Sequence, residues 1–317
     1  MDIVYFIIQQ TMYFSIPLLI VALGGMYSER SGVINIGLEG IMVMGAFAGI
    51  SFIHVMEQTM SGQLLLVLGI LIAGVTGGLF SLFHSFAAIN LRADQTISGT
   101  AINMFAGAFA IFTARTFNGI QQIGFTDTFH IDSVPVLGKI PLIGPMLFQN
   151  CYITTYIGFL VFAIAALVIS KTRFGLRLRS CGEFPQAADA VGINVYFYRY
   201  AGVIISGVLG GIGGIVFVIP TSTEFNATVA GYGFLALAVL IFGQWRSLTI
   251  LGASFFFGIM KTLSSVYSGI PVVKNLPVPN EIYKMIPYIA TLFVLAFASR
   301  SSNTPRAEGI PYDKGTR

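Results

Sequence analysis

Long apolar runs dominate the chain, and several of them are long enough to cross a lipid bilayer. A transmembrane helix needs about 20 consecutive, mostly apolar residues. Nine candidate runs are present: 3–26, 33–56, 64–89, 97–114, 152–170, 200–219, 229–243, 249–268 and 285–299. The seventh and ninth are short, and a re-entrant segment resembles a span in sequence, so we expect roughly 8–10 transmembrane helices. Only 9% of the residues are charged, against about a quarter in soluble domains. The sequence therefore predicts an all-α polytopic protein of the cell membrane.

Positive charge predicts the orientation of these spans, because cytoplasmic loops of membrane proteins carry an excess of lysine and arginine. With the N-terminus outside, the cytoplasmic segments are 27–32, 90–96, 171–199, 244–248 and 300–317, which hold twelve of the 17 Lys and Arg residues. Residues 1–299 then form the membrane domain, 115–151 form the largest outside loop, and 300–317 form a polar cytoplasmic tail that we expect to be mobile. The N-terminus lacks the basic residues of a signal peptide, so the first run is read as a permanent span. The net charge of +4 follows from the loop bias, and we expect no nucleic-acid partner.

The longest polar interval, 171–200, is a basic loop that contains the signature of a short helix. Gly182 and Glu183 begin a turn that delivers Pro185 to the first turn of a helix. Gly192 can end that helix. A short helix held on the cytoplasmic face is suited to contacting a partner protein. The alternative is a loop that only fixes topology and touches membrane lipid headgroups.

Three polar residues lie inside predicted spans, where such groups are costly and often functional. Glu39 has no basic neighbour in sequence, and Asn35, four residues earlier, would lie on the same helical face. Asn103 lies on a span rich in small residues. We interpret all three as candidates for lining a translocation path. For Glu39 the alternative is a backbone hydrogen bond that fixes helix packing, and for Asn103 it is an interhelical hydrogen bond. Lys261, inside a later run, is a candidate ionic partner for Glu39.

Two segments of the chain, 36–45 and 232–240, resemble each other weakly. In the predicted topology the first runs from inside to outside and the second from outside to inside, which is the arrangement of an inverted-topology repeat. Two glycine-punctuated apolar runs also match by chance, and the sequence leaves both explanations open.

Motifs for catalysis and for nucleotide binding are missing from the sequence. It has no GxxxxGK[ST] phosphate loop, no nucleophile elbow and no zinc-protease motif. Cys151 and Cys181 fall on opposite sides of the membrane and are not expected to pair, and no Cys/His spacing suggests a metal. We therefore expect a chain that is not an enzyme and has no cofactor of its own. The alternatives for its function are an ion-coupled secondary transporter of a small polar solute, using Glu39 and Lys261, and a non-transporting scaffold or channel.

Two motifs resemble those of a known family. The first is SERSGVINIGLEGIMVMGAFAG at 28–49, and the second is TRFGLRLRSCGEFPQAADAVGINV at 172–195, followed by SGVLGGIGG at 206–214. Together they resemble the permease subunits of ABC importers for nucleosides, simple sugars and branched-chain amino acids. The first motif is most similar to the nucleoside branch, and the resemblance extends from about residue 10 to about residue 300.

The resemblance implies a permease subunit of a binding-protein-dependent ABC importer for nucleosides. It implies a second permease subunit, usually a different polypeptide, so that the pore is a heterodimer. It also implies cytoplasmic ATPase subunits that bind ATP and Mg²⁺, and an extracytoplasmic substrate-binding lipoprotein. Six residues of the basic loop would belong to a coupling helix that contacts the ATPase: Gly182, Glu183, Pro185, Ala187, Ala188 and Gly192. The small side chains of the two alanines would let this helix sit close in a groove of the ATPase.

Overall fold

The computed structural model describes residues 2–127, 129–141, 143–266, 279–298 and 303–315, and these residues are mostly helical. In chain order the α-helices are α1 (Asp2–Arg30), α2 (Leu38–Met56), α3 (Gln63–Ser85), α4 (Gln95–Asn118), α5 (Ile153–Lys171), α6 (Arg173–Glu183), α7 (Pro185–Ala190), α8 (Val195–Thr221), α9 (Tyr232–Phe242), α10 (Ser247–Val266) and α11 (Asn280–Ala298). A π-helical turn, Phe86–Asn90, extends α3. Four short strands, β1 (Ile123–Gly124), β2 (His130–Ser133), β3 (Gln149–Tyr152) and β4 (Glu224–Phe225), form the antiparallel pairs β1–β4 and β2–β3.

Seven helices in the described part of the chain are long and apolar enough to cross a membrane: α1, α2, α3, α4, α5, α8 and α10. The two remaining predicted runs, 229–243 and 285–299, fall on α9 and α11. Helix α9 has only 11 residues, which is about 16 Å, or half the thickness of the hydrocarbon core. Each predicted run thus overlaps a helix within the described residues, and the all-α polytopic architecture is confirmed.

Helix α8 lies at the centre of the bundle and packs against α1, α2 and α3 through glycines. A Cβ atom on Gly211 would overlap the carbonyl group of Ala73 in α3, and one on Gly214 would overlap the carbonyl group of Met42 in α2. Only glycine permits backbones to approach this closely, as is typical of membrane helix interfaces. The SGVLGGIGG stretch is therefore a packing surface.

The described residues of the five segments predicted to be cytoplasmic lie together at one end of the molecule. The contacts that join them include the pairs Arg30–Glu183 (3.6 Å), Arg30–Trp245 carbonyl (3.0 Å), Arg92–Asp313 (2.8 Å) and Ala307–Gly182 (2.9 Å). Both strand pairs belong to the outside loops at the opposite end, where the side chain of Gln9 donates to the carbonyl oxygen of Pro145 (2.8 Å). The fold thus separates these charged segments from the two strand pairs.

The C-terminal tail packs against the end that holds these charged segments, so the expectation that it is mobile is wrong for residues 303–315. The backbone N–H of Ala307 donates to the carbonyl of Gly182 (2.9 Å), and that of Gly309 donates to the carbonyl of Gly32 (3.2 Å). Tyr312 is buried. Backbone hydrogen bonds and ion pairs hold the tail, and polar composition does not reveal such contacts. We call residues 303–315 the C-terminal strap.

Candidate functional site

The linker between α1 and α2, residues 31–37, is non-helical backbone enclosed by the protein. Lipid offers no hydrogen bonds, so such backbone persists at membrane depth only where the protein satisfies it. The N–H of Ile34 donates to the side-chain oxygen of Gln95 in α4 (2.7 Å). The carbonyl of Ile34 lies 2.7 Å from Nε2 of His84 in α3, whose Nδ1 lies 2.9 Å from the hydroxyl of Ser98. Side chains of two neighbouring helices therefore fix the shape of the linker.

Glu39, in the first turn of α2, bonds the start of α9 with both carboxylate oxygens. Oε1 accepts from the N–H of Gly231 (2.9 Å), and Oε2 accepts from the N–H of Gly233 (2.6 Å). The first N–H groups of a helix have no intrahelical partner and attract negative charge. The predicted ion pair between Glu39 and Lys261 is not present, and both of these residues lie in the described part of the chain. The ammonium of Lys261 instead lies 5.9 Å from the ring centroid of Tyr232. Glu39 thus makes the backbone contact anticipated as its structural alternative.

Asn103 of α4 likewise forms hydrogen bonds with the backbone at the start of α2. Its side-chain oxygen accepts from the N–H of Gly40 (2.7 Å), and its side-chain nitrogen donates to the carbonyl of Ile36 (3.0 Å). The first turns of α2 and α9 also meet, since a Cβ on Gly233 would overlap the backbone of Glu39. The two weakly similar segments, 36–45 and 232–240, are therefore the places where two helices begin opposite each other.

Asn35 lies in the linker, and the expectation that it shares a helical face with Glu39 is wrong, because α2 begins only at Leu38. Asn35 is fully buried, and its side-chain nitrogen donates to the hydroxyl of Ser206 in α8 (2.9 Å). The three candidate path residues cluster around the start of α2 but contact different elements. Asn35 reaches α8, Glu39 reaches α9, and Asn103 reaches α2 from α4.

The basic loop folds into two helices, α6 and α7, of which the sequence predicted one. Pro185 occupies the first position of α7, and Gly192 follows that helix in a left-handed conformation with φ +82°. The N–H of Gly192 closes the turn on the carbonyl of Asp189 (2.9 Å). Helix α6 is amphipathic and buries Leu178 and Cys181. The apolar residues of α6 recur at helical spacing in the sequence, but the many arginines among them made this pattern hard to recognise.

Helix α7 presents a small apolar surface beside the C-terminal strap. Ala187 is exposed, and Phe184 and Val191 at the two ends of α7 are 62% and 76% exposed. Pro185 and Ala188 pack inward, and Ala188 is only 4% exposed. Of the two alanines expected to meet a partner, only Ala187 is therefore available.

Gly182 and Glu183 join this loop to the end of α1. A Cβ on Gly182 would lie 2.9 Å from the carbonyl carbon of Arg30 and 3.2 Å from the backbone nitrogen of Gly32. The carboxylate of Glu183 forms a 3.6 Å ion pair with Arg30. The carbonyl of Gly182 accepts the N–H of Ala307 in the strap. The loop, α1, the linker and the strap therefore meet at one point.

Several residues of this junction were not singled out from the sequence. Trp245, the only tryptophan of the chain, donates its indole N–H to the carboxylate of buried Glu29 (2.5 Å). Burial raises the pKa of Glu308, which lies beside Glu29, to about 7. Arg199 is buried in α8 and donates to the carbonyl of Ile310 (2.9 Å). Glu29 lies within the first motif, but only the fold supplies its partners.

Comparison with known proteins extends over all of these elements. A family model described as "Branched-chain amino acid transport system / permease component" matches residues 7–295. The chain is 43% identical over 313 residues to the guanosine ABC transporter permease protein NupQ of Bacillus subtilis (strain 168), covering 98% of this chain and 97% of NupQ.

Two relatives come from Lactococcus lactis subsp. cremoris (strain MG1363). The nucleoside ABC transporter permease protein NupC is 41% identical over 309 residues, covering 97% of this chain and 96% of NupC. The nucleoside ABC transporter permease protein NupB is 22% identical over 306 residues, covering 95% of this chain and 82% of NupB. The similarity to NupQ and NupC thus runs through nearly the full length of all three chains.

Proposed function

We propose that this chain is the permease subunit of an ABC importer for nucleosides. It belongs to the family of permease components of branched-chain amino acid-type transport systems. It is a multi-pass protein of the cell membrane. The names of NupQ and NupC, guanosine and nucleoside permeases that are 43% and 41% identical to it, support the substrate class.

One observation carries the proposed mechanism: an exposed helix at the cytoplasmic end is joined by close contact to the broken-helix region. Helix α7 continues from α6, and Gly182 at the end of α6 packs on Arg30, next to the linker that leads into α2. A displacement of α7 by an ATPase would therefore be passed on to the start of α2. This is the physical requirement for alternating access driven by ATP binding in another subunit.

The translocation path is proposed to open where α2 and α9 begin. Asn35, Glu39 and Asn103 gather there, and their amide and carboxylate groups are suited to hydrogen bonding a ribose or a base. In this arrangement most of their polar atoms bond protein groups. We propose that separating the first turns of α2 and α9 frees these groups for the passing substrate.

The proposed assembly has four kinds of subunit. A second, different permease completes the pore; similarity of this chain to both NupC and NupB, two permeases of one bacterial strain, supports a heterodimer. Two cytoplasmic ATPase subunits bind ATP and Mg²⁺ and contact α7. An extracytoplasmic lipoprotein delivers the nucleoside to the permease pair.

The assignment of α7 is tested by placing a charge on its exposed surface. Ala187→Glu should lower nucleoside uptake and nucleoside-stimulated ATP hydrolysis in vesicles at least about tenfold, because a buried, unpaired carboxylate would oppose docking of the ATPase. Thr96→Glu, also exposed at the cytoplasmic end but outside the loop, is the matched control and should leave both rates unchanged. Full uptake by Ala187→Glu at equal protein level would remove α7 from the coupling interface.

The rival is an ion-coupled secondary transporter. Uptake into proteoliposomes with and without internal ATP, and with and without an ion gradient, separates the two mechanisms. Uptake that requires ATP and ignores the gradient supports the ABC importer. Uptake that continues without ATP but stops when the ion gradient is removed would show that the protein is an ion-coupled secondary transporter.

A further inference from the structure

A basic cavity opens at the cytoplasmic end, beside the proposed coupling loop. Its volume is about 1010 Å³, and it lies between the end of α5, α6, the start of α10 and the C-terminal strap. Five basic side chains and one carboxylate line it: Arg30, Lys171, Arg179, Arg246, Arg306 and Glu183. The cavity thus has a large excess of positive charge.

Most of this charge is not neutralised within the described part of the protein. Glu183, the carboxylate of the cavity, is already paired with Arg30 (3.6 Å). Among the described residues, Lys171, Arg246 and Arg306 form no salt bridge, and Arg179 bonds only the carbonyl of a residue in its own helix. Arginines gathered without counter-charges repel one another, and an anion between them relieves that repulsion.

The cavity also has an apolar side, which indicates what kind of anion it suits. Leu167 of α5 and Leu248 of α10 line it and are 57% and 76% exposed. Both belong to helices that cross the membrane, so the apolar wall continues from the charged part of the cavity toward the bilayer. A free phosphate has no apolar part that could contact these leucines. A phospholipid has a phosphate for the basic side chains and acyl chains for the apolar wall that leads into the bilayer. Basic pockets between membrane helices at the cytoplasmic side are typical sites for anionic lipid headgroups.

We propose that this cavity binds an anionic phospholipid of the inner leaflet. The phosphate lies among Arg179, Arg246 and Lys171, and the acyl chains lie along Leu167 and Leu248. The bound lipid sits next to the Arg30–Glu183 pair that joins the loop to α1. The site is independent of the identity of the transported substrate.

The test compares lipids that differ only in headgroup charge. The purified full chain in detergent is titrated with phosphatidylglycerol or with phosphatidylcholine of identical acyl chains, and bound lipid is counted by native mass spectrometry. We expect at least tenfold tighter binding of phosphatidylglycerol. Arg246→Gln should weaken it about fivefold, the factor for one basic side chain near an anionic surface, and Arg179→Gln with Arg246→Gln about 25-fold.

Arg173→Gln is the matched control, because Arg173 is an exposed arginine of the same helix as Arg179 but lies outside the cavity; it should leave binding unchanged. Melting temperatures in phosphatidylcholine verify folding, and Arg246→Gln alone serves if the double variant is unstable. Equal binding of both lipids, or full retention by the variants, would overturn the proposal.

Two further arms distinguish other sources of negative charge. Displacement of phosphatidylglycerol by millimolar inorganic phosphate would assign the cavity to a free anion instead. Loss of bound phosphatidylglycerol when the complete transporter with its ATPase subunits is assembled would assign it to an acidic protein surface. Retention of the lipid in both arms supports the proposal.

Discussion

Glu39 is a residue of α2, but its carboxylate stabilises the start of a different helix, α9. The carboxylate bonds Gly231 and Gly233 at the beginning of α9, and α9 is too short to reach both faces of the membrane. Water is scarce at such a position, so the first N–H groups of α9 depend on a partner supplied by the protein. The charge of Glu39 is in turn tolerated because those N–H groups neutralise it.

Glu39→Ala removes both acceptors and should lower the free energy of unfolding by about 2 kcal/mol, the usual scale for hydrogen bonds to a charged group. Glu39→Gln keeps one acceptor oxygen of the two and should lose about half as much. Thermal unfolding in detergent measures both, with nucleoside uptake as the second readout. A Glu39→Gln variant that melts like the wild type but transports nothing would show that the charge acts on substrate or on an ion, and the role in stabilising α9 would then be secondary.

At the scale of elements, long spans were predictable and broken ones were not. About twenty apolar residues in succession leave a chain few alternatives to a membrane helix, so α3 and α8 were identified directly. The start of α2 depends on Asn103, which lies far from it in sequence, and periodicity therefore placed Asn35 on a helix that had not yet begun. Helix α7 was predicted from Pro185 and Gly192, because proline and glycine act through local backbone geometry.

The packing of α6 on α1 depends on the absence of a side chain at Gly182. Gly182→Ala would place a methyl group against the backbone of Arg30, which has no flexible end that could move aside. We expect a loss of about 2 kcal/mol in stability, the scale of overpacking, together with weaker coupling of ATP hydrolysis to transport. Gly107→Ala is the control: Gly107 is also helical, but nothing lies within 4 Å of the added Cβ, so the melting temperature should not fall. Equal effects of the two substitutions would contradict the close packing at Gly182.

At the scale of the molecule, the C-terminal strap connects several elements at and around the proposed coupling route. It bonds the linker, the loop, α8 and the turn between α3 and α4 through the pairs Gly309–Gly32, Ala307–Gly182, Ile310–Arg199 and Asp313–Arg92. The loop cannot move relative to the bundle without carrying the strap along or releasing it. Polar composition predicted a mobile tail because hydropathy reports apolar burial, whereas this segment is held by backbone hydrogen bonds and ion pairs.

Docking of the strap should depend on pH through Glu308. Burial raises the pKa of this carboxyl from its ordinary 4.5 to about 7, and its neighbours are Glu29 and Arg30 of α1. Between pH 4.5 and about 7, the carboxyl of Glu308 therefore keeps a proton while the strap is docked and releases it when the strap undocks. By linkage, the stabilisation from this proton is fully present below pH 4.5 and is lost as pH rises through about 7. Hydrogen–deuterium exchange of residues 303–315, corrected for the intrinsic rate, should show protection at pH 6 that decreases by pH 8.

Glu308→Gln replaces the protonated carboxyl by a neutral group of the same shape, so it should keep the strap protected at both pH values. Asp132→Asn is the control, because Asp132 is fully exposed at the opposite end of the molecule and its loss should leave the pH dependence intact. Protection that stays constant across this range in the wild type, or a pH dependence that survives Glu308→Gln, would contradict the role of Glu308. If the dependence is found, the strap adds a pH-sensitive hold on the junction of Gly182, Arg30 and the linker, which is where the proposed ATP-driven motion enters the membrane domain.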